Sequence, residues 1–174
     1  MIVLKLEATE ISQNAELICI QARKGNDLHL WRRWKYESEE LLLKAFLDWF
    51  MMEEDKIIIG FNILKFDVPL LLMKCKKFDN FDEFFKKINS ANIIDLFVLL
   101  TLMNKGNIKG IDFYAQKLIG KNIIGGEEIL KQYKEKKYQE LEKSIVKNLN
   151  TTQDLFMFVW KKFNAGEFIK FEDA

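Results

Sequence analysis

The sequence predicts one α/β domain over residues 1–174, with a mixed β-sheet of three antiparallel strands and then two parallel strands, flanked by helices. Two patterns lead to this prediction. Apolar and polar residues alternate as far as Tyr36, which is typical of half-buried strands. Helical spacing follows, and two short apolar runs within it fit strands covered on both faces. A chain of 174 residues can bury a sizeable core in one domain.

The first three predicted strands form an antiparallel meander. The alternating segments read "MIVLKLEA", "AELICIQAR" and "DLHLWRRWKY". The turn "RKGND", with Gly25 and Asn26 at its tip, joins the second segment to the third.

Helices and two buried strands are predicted for the rest of the chain. Ser38 is a plausible N-cap for the helix "SEELLLKAFLDWFMMEE", and "KIIIGF" then completes a β-α-β unit with the third strand. A further strand ends at Asp95, and the last helix is expected to begin at Thr151. The other predicted helices are "DVPLLLMKCKKF", "NFDEFFKKI", "GIDFYAQKLIG" and "GEEILKQYKEKKYQELEKSIVKNL". This order of elements is that of the ribonuclease H-like fold, and it predicts a fold without specifying a function.

Composition excludes several kinds of site. The formal net charge of +1 gives no field that implies nucleic-acid binding by charge alone. A single histidine, His29, argues against a histidine-based metal site or a catalytic triad. Cys19 and Cys75 lie in separate apolar runs, so buried free thiols in a reducing compartment are expected. No apolar run is long enough to cross a bilayer, and the first residues lack a signal-peptide pattern, so we expect a cytoplasmic protein with no membrane partner.

Four acidic residues lie near predicted element ends, namely Glu7, Asp67, Asp95 and Asp154. Ligands of open α/β sheets bind outside the carboxyl ends of the strands, and clustered carboxylates there can hold two Mg²⁺ or Mn²⁺ ions about 4 Å apart, as in nucleases. Each acid also has a structural interpretation, which is favoured when the residues are taken singly. Glu7 can face solvent, Asp67 can be the N-cap of its helix, and Asp154 can complete a capping box with Thr151.

One string connects these acids to a known family. "GFNILKFDVPLL" resembles the second motif of the proofreading 3′–5′ exonuclease domain of family B DNA polymerases, within the DEDD exonuclease superfamily. The family pattern of Asn, three residues and Phe-Asp falls on Asn62, Phe66 and Asp67. "VLKLEATEI" resembles the first motif, with its Glu at Glu7, and "NTTQDLFMFVWKKF" resembles the third, with its metal-binding Asp at Asp154. "NIIDLFVLL" and "IKGIDFYAQKLIGKN" resemble the segments between them, so the resemblance covers nearly the whole chain.

The resemblance implies catalytic, metal-binding acids at Glu7, Asp67 and Asp154, and two departures predict that catalysis is impaired. Lys5 stands where the first motif has Asp, and Asn150 stands where the third has its general-base Tyr. Lys5 and Glu7 share one face of a strand, and at ~4 Å an ammonium repels a divalent ion by several kcal/mol. An amide cannot take a proton from water at neutral pH. In an alternative alignment with the first motif, Glu7 takes the Asp position and Thr9 takes the Glu position. One of the two acids is then still missing.

Binding can persist without catalysis. The resemblance implies that Asn62 and Phe66 contact the end of a single strand. A base stacked on an aromatic ring is worth about 1–3 kcal/mol. Lys5 and Lys65 can pair with phosphates. "WRRWKY", from Trp31 to Tyr36, is a second possible nucleic-acid surface, although core tryptophans with solvent-facing arginines are the preferred interpretation.

Three functions follow, in order of preference. The first is an impaired exonuclease-fold protein that binds single-stranded DNA, DNA 3′ ends or a replication protein, in replication or repair. The second is an active exonuclease that uses Mg²⁺ or Mn²⁺ at an atypical site, with further acids such as Glu10 or Asp95. The third is a protein-interaction module that does not bind nucleic acid.

Overall fold

A five-stranded mixed sheet forms the centre of the structure, a computed structural model that describes residues 1–10, 12, 14–167, 169 and 171. The strands are β1 (Ile2–Ala8), β2 (Leu17–Lys24), β3 (Asp27–Arg32), β4 (Ile57–Gly60) and β5 (Asn92–Asp95). Their order across the sheet is β3-β2-β1-β4-β5. The first three strands pair antiparallel, whereas β4 is parallel to β1 and β5 is parallel to β4. The predicted α/β class with a mixed sheet is therefore confirmed.

The strand order differs from a simple succession of three strands and then two, because β4 pairs with β1 and not with β3. The connection from β3 through the first helix to β4 therefore crosses two strands, and its ends are not neighbours as the predicted β-α-β unit implied. The sequence of β1 suits the central place, since it is apolar on both faces. Ile2, Leu4 and Leu6 belong to one core, and Val3 belongs to another.

Seven helices are found in the described part of the chain. They are α1 (Glu39–Met52), α2 (Asp67–Cys75), α3 (Phe81–Ser90), α4 (Leu96–Met103), α5 (Ile111–Ile119), α6 (Gly126–Lys134) and α7 (Tyr138–Asn164). Ser38 is the N-cap of α1 as predicted, since its Oγ accepts a hydrogen bond from the Leu41 N–H at 3.2 Å.

Helices cover both faces of the sheet. Side chains of α1, α2 and α3 pack with Ile2, Leu4 and Leu6 on one face. Side chains of α4, α5 and α7 pack with Val3 and Ile59 on the other, where α6 and α7 also cover Ile18. In the described residues, no helix is both long enough and apolar enough to cross a membrane.

The last helix begins earlier than predicted. Thr151 and Asp154 lie inside α7, so the predicted capping box is wrong. The Thr151 hydroxyl donates to the Lys147 carbonyl at 2.9 Å, one helical turn back, and this bond lets a cap-forming residue continue a helix. The chain breaks instead between α6 and α7, where Lys136 has a φ of 57°.

The segment "WRRWKY" is held within the fold, and its prediction as a continuous strand is corrected, because residues Arg33–Lys35 form a 3-10 turn. Trp31 is buried edge-on against Phe46, with ring centroids 5.2 Å apart. Trp34 stacks on Tyr138 at 5.0 Å. The two arginines form ion pairs, Arg32 with Glu142 at 2.7 Å and Arg33 with Glu16 at 3.1 Å.

Both cysteines are free and buried, as predicted. Burial raises the pKa of the Cys75 thiol to about 12, so the thiol is protonated at neutral pH.

Candidate functional site

The loop between β4 and α2 forms one wall of the candidate site, and Asp95 fixes its shape. The Asp95 carboxylate accepts hydrogen bonds from the backbone N–H groups of Asn62 at 2.8 Å and Leu64 at 3.1 Å. It also accepts the Phe97 N–H at 2.9 Å, which makes Asp95 the N-cap of α4. One buried carboxylate thereby joins the end of β5, the start of α4 and the loop. Asn62 has a φ of 60°, and Asn adopts this left-handed backbone more readily than most residues.

Gly60 lets this loop fold back tightly on β1. A Cβ at residue 60 would lie 2.8 Å from the Ile63 side chain and 3.0 Å from the Leu4 carbonyl oxygen. Only glycine fits such a contact without a shift of the neighbouring backbone. The glycine of "KIIIGF" therefore brings Asn62 and the residues after it close to the carboxyl end of β1.

Asp67 is the first residue of α2, and Phe66 is the N-cap, so the prediction of Asp67 as N-cap is wrong. Its Oδ1 accepts the Leu6 N–H of β1 at 2.6 Å. Pairing between β1 and β4 is seen only as far as Val3 and Ile59. The carboxylate therefore provides a partner for a backbone N–H beyond the end of that ladder, where a buried donor must be bonded.

Lys5 and Glu7 form an ion pair, with the Lys5 Nζ 2.6 Å from the Glu7 Oε1. Glu7 is buried, with 9% of its surface exposed, so the solvent-facing interpretation of this residue is wrong. The two side chains share one face of β1, as the two-residue period of a strand requires. A positive charge therefore lies directly on a carboxylate that the family resemblance assigns to metal binding.

The pKa values in this cluster reflect burial and mutual attraction. Burial raises the pKa of the Asp67 carboxyl from 3.8 to about 7, and the Lys5 charge and the Leu6 N–H oppose this rise. Burial acts to lower the pKa of Lys5, but the charge and hydrogen bond of Glu7 outweigh it, and the pKa of Lys5 ends above its ordinary value. At neutral pH the cluster therefore holds a charged Lys5 and an Asp67 that is partly protonated.

A cavity of about 510 Å³ opens over this cluster, and we call it the cleft cavity. It brings together six of the predicted site residues, Lys5, Glu7, Asn62, Lys65, Phe66 and Asp67. Glu10, which the sequence suggested as a further acid of an atypical metal site, also lines the cavity. The start of α6 forms a further wall with Gly126, Glu127 and Leu130, and no pattern in the sequence indicated this contact.

Three predicted residues do not line the cleft cavity, and one of them, Asp95, instead fixes the loop as described above. Asp154 is half-exposed on α7 and forms an ion pair with Lys121 at 2.6 Å. Asn150 lies one turn before it on α7, where it lines a different surface depression. Within the residues that the structure describes, no three His, Cys, Asp or Glu side chains are grouped closely enough to hold a metal ion.

No model of a known protein family matches this chain, and no curated protein matches it.

Proposed function

We propose that this chain is a catalytically impaired protein of the ribonuclease H-like exonuclease type that binds single-stranded DNA or DNA 3′ ends, in replication or repair. The observation that carries the proposal is the Lys5–Glu7 ion pair at 2.6 Å beside the buried Asp67. The ion pair lies in the cleft cavity, which also contains the Asn62 amide and the Phe66 ring. The family resemblance assigns contacts with the end of a single strand to these two side chains.

The fold is compatible with this proposal. The central β1 pairs antiparallel with β2 on one side and parallel with β4 on the other, β5 extends the parallel part, and the cleft cavity lies at the carboxyl end of β1. Ligands of open α/β sheets bind at such ends.

The residues present do not fit a two-metal centre. Glu7 is neutralised by Lys5, and Asp67 uses Oδ1 for the Leu6 N–H and is partly protonated near neutral pH. Asp154 is engaged by Lys121 outside the cavity. A divalent ion at this point would have to displace the Lys5 ammonium, whose charge repels it. We therefore derive no hydrolytic step through Mg²⁺ or Mn²⁺.

The binding wall consists of Asn62, Lys65 and Phe66. The Phe66 ring offers a stacking surface for any base, and the Asn62 amide can both donate and accept hydrogen bonds. Lys65 is exposed and has no carboxylate within 4.0 Å in the described part of the chain. Glu10 and Glu127 on the rim repel phosphates, so stacking and amide contacts are expected to contribute more to affinity in the cavity than charge does.

A second function, an active exonuclease with an atypical site, is favoured by one observation. Glu10 and Glu127 line the same cavity as Glu7 and Asp67. Four carboxylates around one cavity could bind Mn²⁺ if their side chains rotated inward and Lys5 moved away.

One experiment separates these functions. The pure protein is incubated with end-labelled oligo-thymidylate and with Mg²⁺ or Mn²⁺, and both anisotropy and digestion are recorded. Binding without digestion, weakened about tenfold or more in Phe66→Ala, supports the proposal, because a stacked base is worth about 1–3 kcal/mol. Phe85→Ala, an exposed phenylalanine on α3, is the matched control and should bind like the wild type.

Digestion by the wild type that Asp67→Ala abolishes would establish the second function. Neither binding nor digestion would leave the protein-interaction module as the remaining hypothesis.

A further inference from the structure

The outer edge of β3 is a feature of the sheet that the cleft cavity does not use. β3 is the last strand on one side of the sheet, so only its edge toward β2 is paired. Its turn with β2 has two residues, and the first, Gly25, has a φ of 59°, as in a type II′ hairpin turn. Lys24 and Asp27 pair across this turn, and hydrogen-bonded pairs alternate with non-bonded ones from there along the strands. The backbone groups of Leu28 and Leu30 therefore point away from β2.

These outward backbone groups lack partners in the free chain. Among the described residues, no group outside β2 is hydrogen-bonded to the main chain of Leu28 or Leu30. The N–H of Arg32 points the same way, because it lies two residues further along the strand. Both faces of β3 are covered, since Leu30 packs with side chains of α6 and α7 and Trp31 packs against Phe46 of α1. A partner can therefore reach β3 only along its edge, and that partner has to offer an extended backbone.

β3 also lacks the features that usually protect an exposed edge strand, such as lysine, proline, a bulge or a very short length. Its six residues, "DLHLWR", contain no lysine or proline, their formal charges stand at the two ends, and no bulge interrupts their pairing with β2. The opposite edge strand, β5, has only four residues, so it offers less backbone to pair with. An unprotected edge in a chain with a net charge of only +1 favours pairing between copies.

A second copy of the chain fits this edge by symmetry and by charge. In antiparallel pairing about Leu30, that residue faces Leu30 of the other copy, and Leu28 faces Arg32 of the other copy. The outward groups of one strand then meet the outward groups of the other. The same register brings Asp27, which is exposed and forms no ion pair with any described residue, beside Arg32 and Arg33 of the other copy. Acid and base are matched at both ends of the paired strands, because the two-fold axis repeats the contact.

We propose that β3 pairs antiparallel with β3 of a second copy of this chain. One continuous sheet, with five strands from each copy, then runs through a two-fold symmetric dimer. The dimer does not depend on the proposed function, since no residue of β3 lines the cleft cavity and the cavity of each copy stays open.

The first test is sedimentation equilibrium of the full chain at increasing concentration. A species of twice 20.7 kDa is expected, and a monomer at every concentration overturns the proposal. Leu28→Lys places an ammonium opposite Arg32 of the other copy, and the symmetry repeats this repulsion, so the dissociation constant of the dimer should rise about tenfold. The matched control is Leu102→Lys, at an exposed leucine of α4, and it should associate like the wild type. Unchanged association in Leu28→Lys also overturns the proposal.

The second test needs no substitution, because hydrogen exchange of the backbone amides locates the interface. In the monomer the amide hydrogens of Leu30 and Arg32 face solvent, whereas those of His29 and Trp31 are bonded to β2 and are protected. At concentrations where the dimer forms, all four should be protected. A dimer in which Leu30 and Arg32 exchange as fast as they do in the dilute protein has its interface elsewhere and overturns the proposal.

Discussion

The Asp67 Oδ1 accepts the Leu6 backbone N–H at 2.6 Å, and this bond joins the start of α2 to the middle of the sheet. The carboxyl that makes it is 95% buried and keeps a proton that the unfolded chain releases near pH 3.8. Its raised pKa has a consequence for the pH dependence of stability.

We expect the contribution of Asp67 to stability to fall as pH rises from about 4 to about 7. The folded-state pKa of about 7 lies above the unfolded value of 3.8, so the stabilisation is complete below 3.8 and is lost as pH rises through 7. Asp67→Asn can still accept the Leu6 N–H and does not titrate, so its unfolding free energy should increase relative to that of the wild type as pH rises over this range. Urea unfolding at several pH values measures this difference, and parallel pH profiles for the two proteins would contradict the assignment.

Replacing Lys5 should expose the cleft acids to a metal ion. Lys5→Asp removes the ammonium that neutralises Glu7 and adds a third carboxylate, so Mn²⁺ affinity should rise by at least a factor of ten over the wild type. Calorimetry measures the affinity. Lys86→Asp, with the same charge change on α3, should bind Mn²⁺ no better than the wild type does. Equal affinity in Lys5→Asp and wild type would show that Lys5 is not the obstacle.

Removing the Asp95 carboxylate should destabilise the fold and disorder the loop between β4 and α2. Asp95→Ala leaves three backbone N–H groups without their acceptor and removes the N-cap of α4, so a loss of about 1–3 kcal/mol is expected. Asp95→Asn is the matched control, since its one carbonyl oxygen can still accept the Asn62 and Phe97 N–H groups, and its loss should be smaller. Denaturant unfolding measures both, and equal losses would mean that these hydrogen bonds are not the cause.

A methyl group at residue 60 should also destabilise the protein. In Gly60→Ala the new Cβ meets the Ile63 side chain at 2.8 Å and the Leu4 carbonyl at 3.0 Å, and such overpacking costs about 1–3 kcal/mol. Gly126→Ala is the comparison, because nothing lies within 4 Å of its Cβ, and at this first residue of α6 the change should stabilise by somewhat less than the roughly 0.5–1 kcal/mol of a mid-helix Gly→Ala change. Thermal unfolding should therefore shift in opposite directions in the two variants.

Local patterns predicted most of the fold. The two-residue period of β1 gave the shared face of Lys5 and Glu7, and Ser38 marked the start of α1 correctly. The start of α7 was wrong because Thr151, a frequent cap residue, bonds back to the Lys147 carbonyl instead. The helix is in fact interrupted at Lys136, between α6 and α7, where no glycine or proline marks the interruption in the sequence.

The candidate site was predicted less completely, because part of it depends on long-range contacts. The resemblance grouped Asn62, Phe66 and Asp67 with Glu7, and the cavity contains all four. Asp95 accepts hydrogen bonds from Asn62 and Leu64, which lie 33 and 31 residues earlier in the chain. Helix α6 brings Glu127 to the rim of the cavity, although this residue is far from Glu7 and Asp67 in the sequence. Neither of these long-range contacts produces a periodic pattern of residues that could be recognised in the sequence.

The bonds of Asp95 also bear on the thermodynamics of recognition. Because one carboxylate fixes the loop of Asn62 and Leu64 to the start of α4, the wall that would meet a ligand already has its shape in the free protein. Binding then loses little conformational entropy in the protein, and most of the ordering falls on the ligand. In the proposed function, Asp95 would therefore contribute to affinity by ordering that wall, although it does not itself line the cleft cavity.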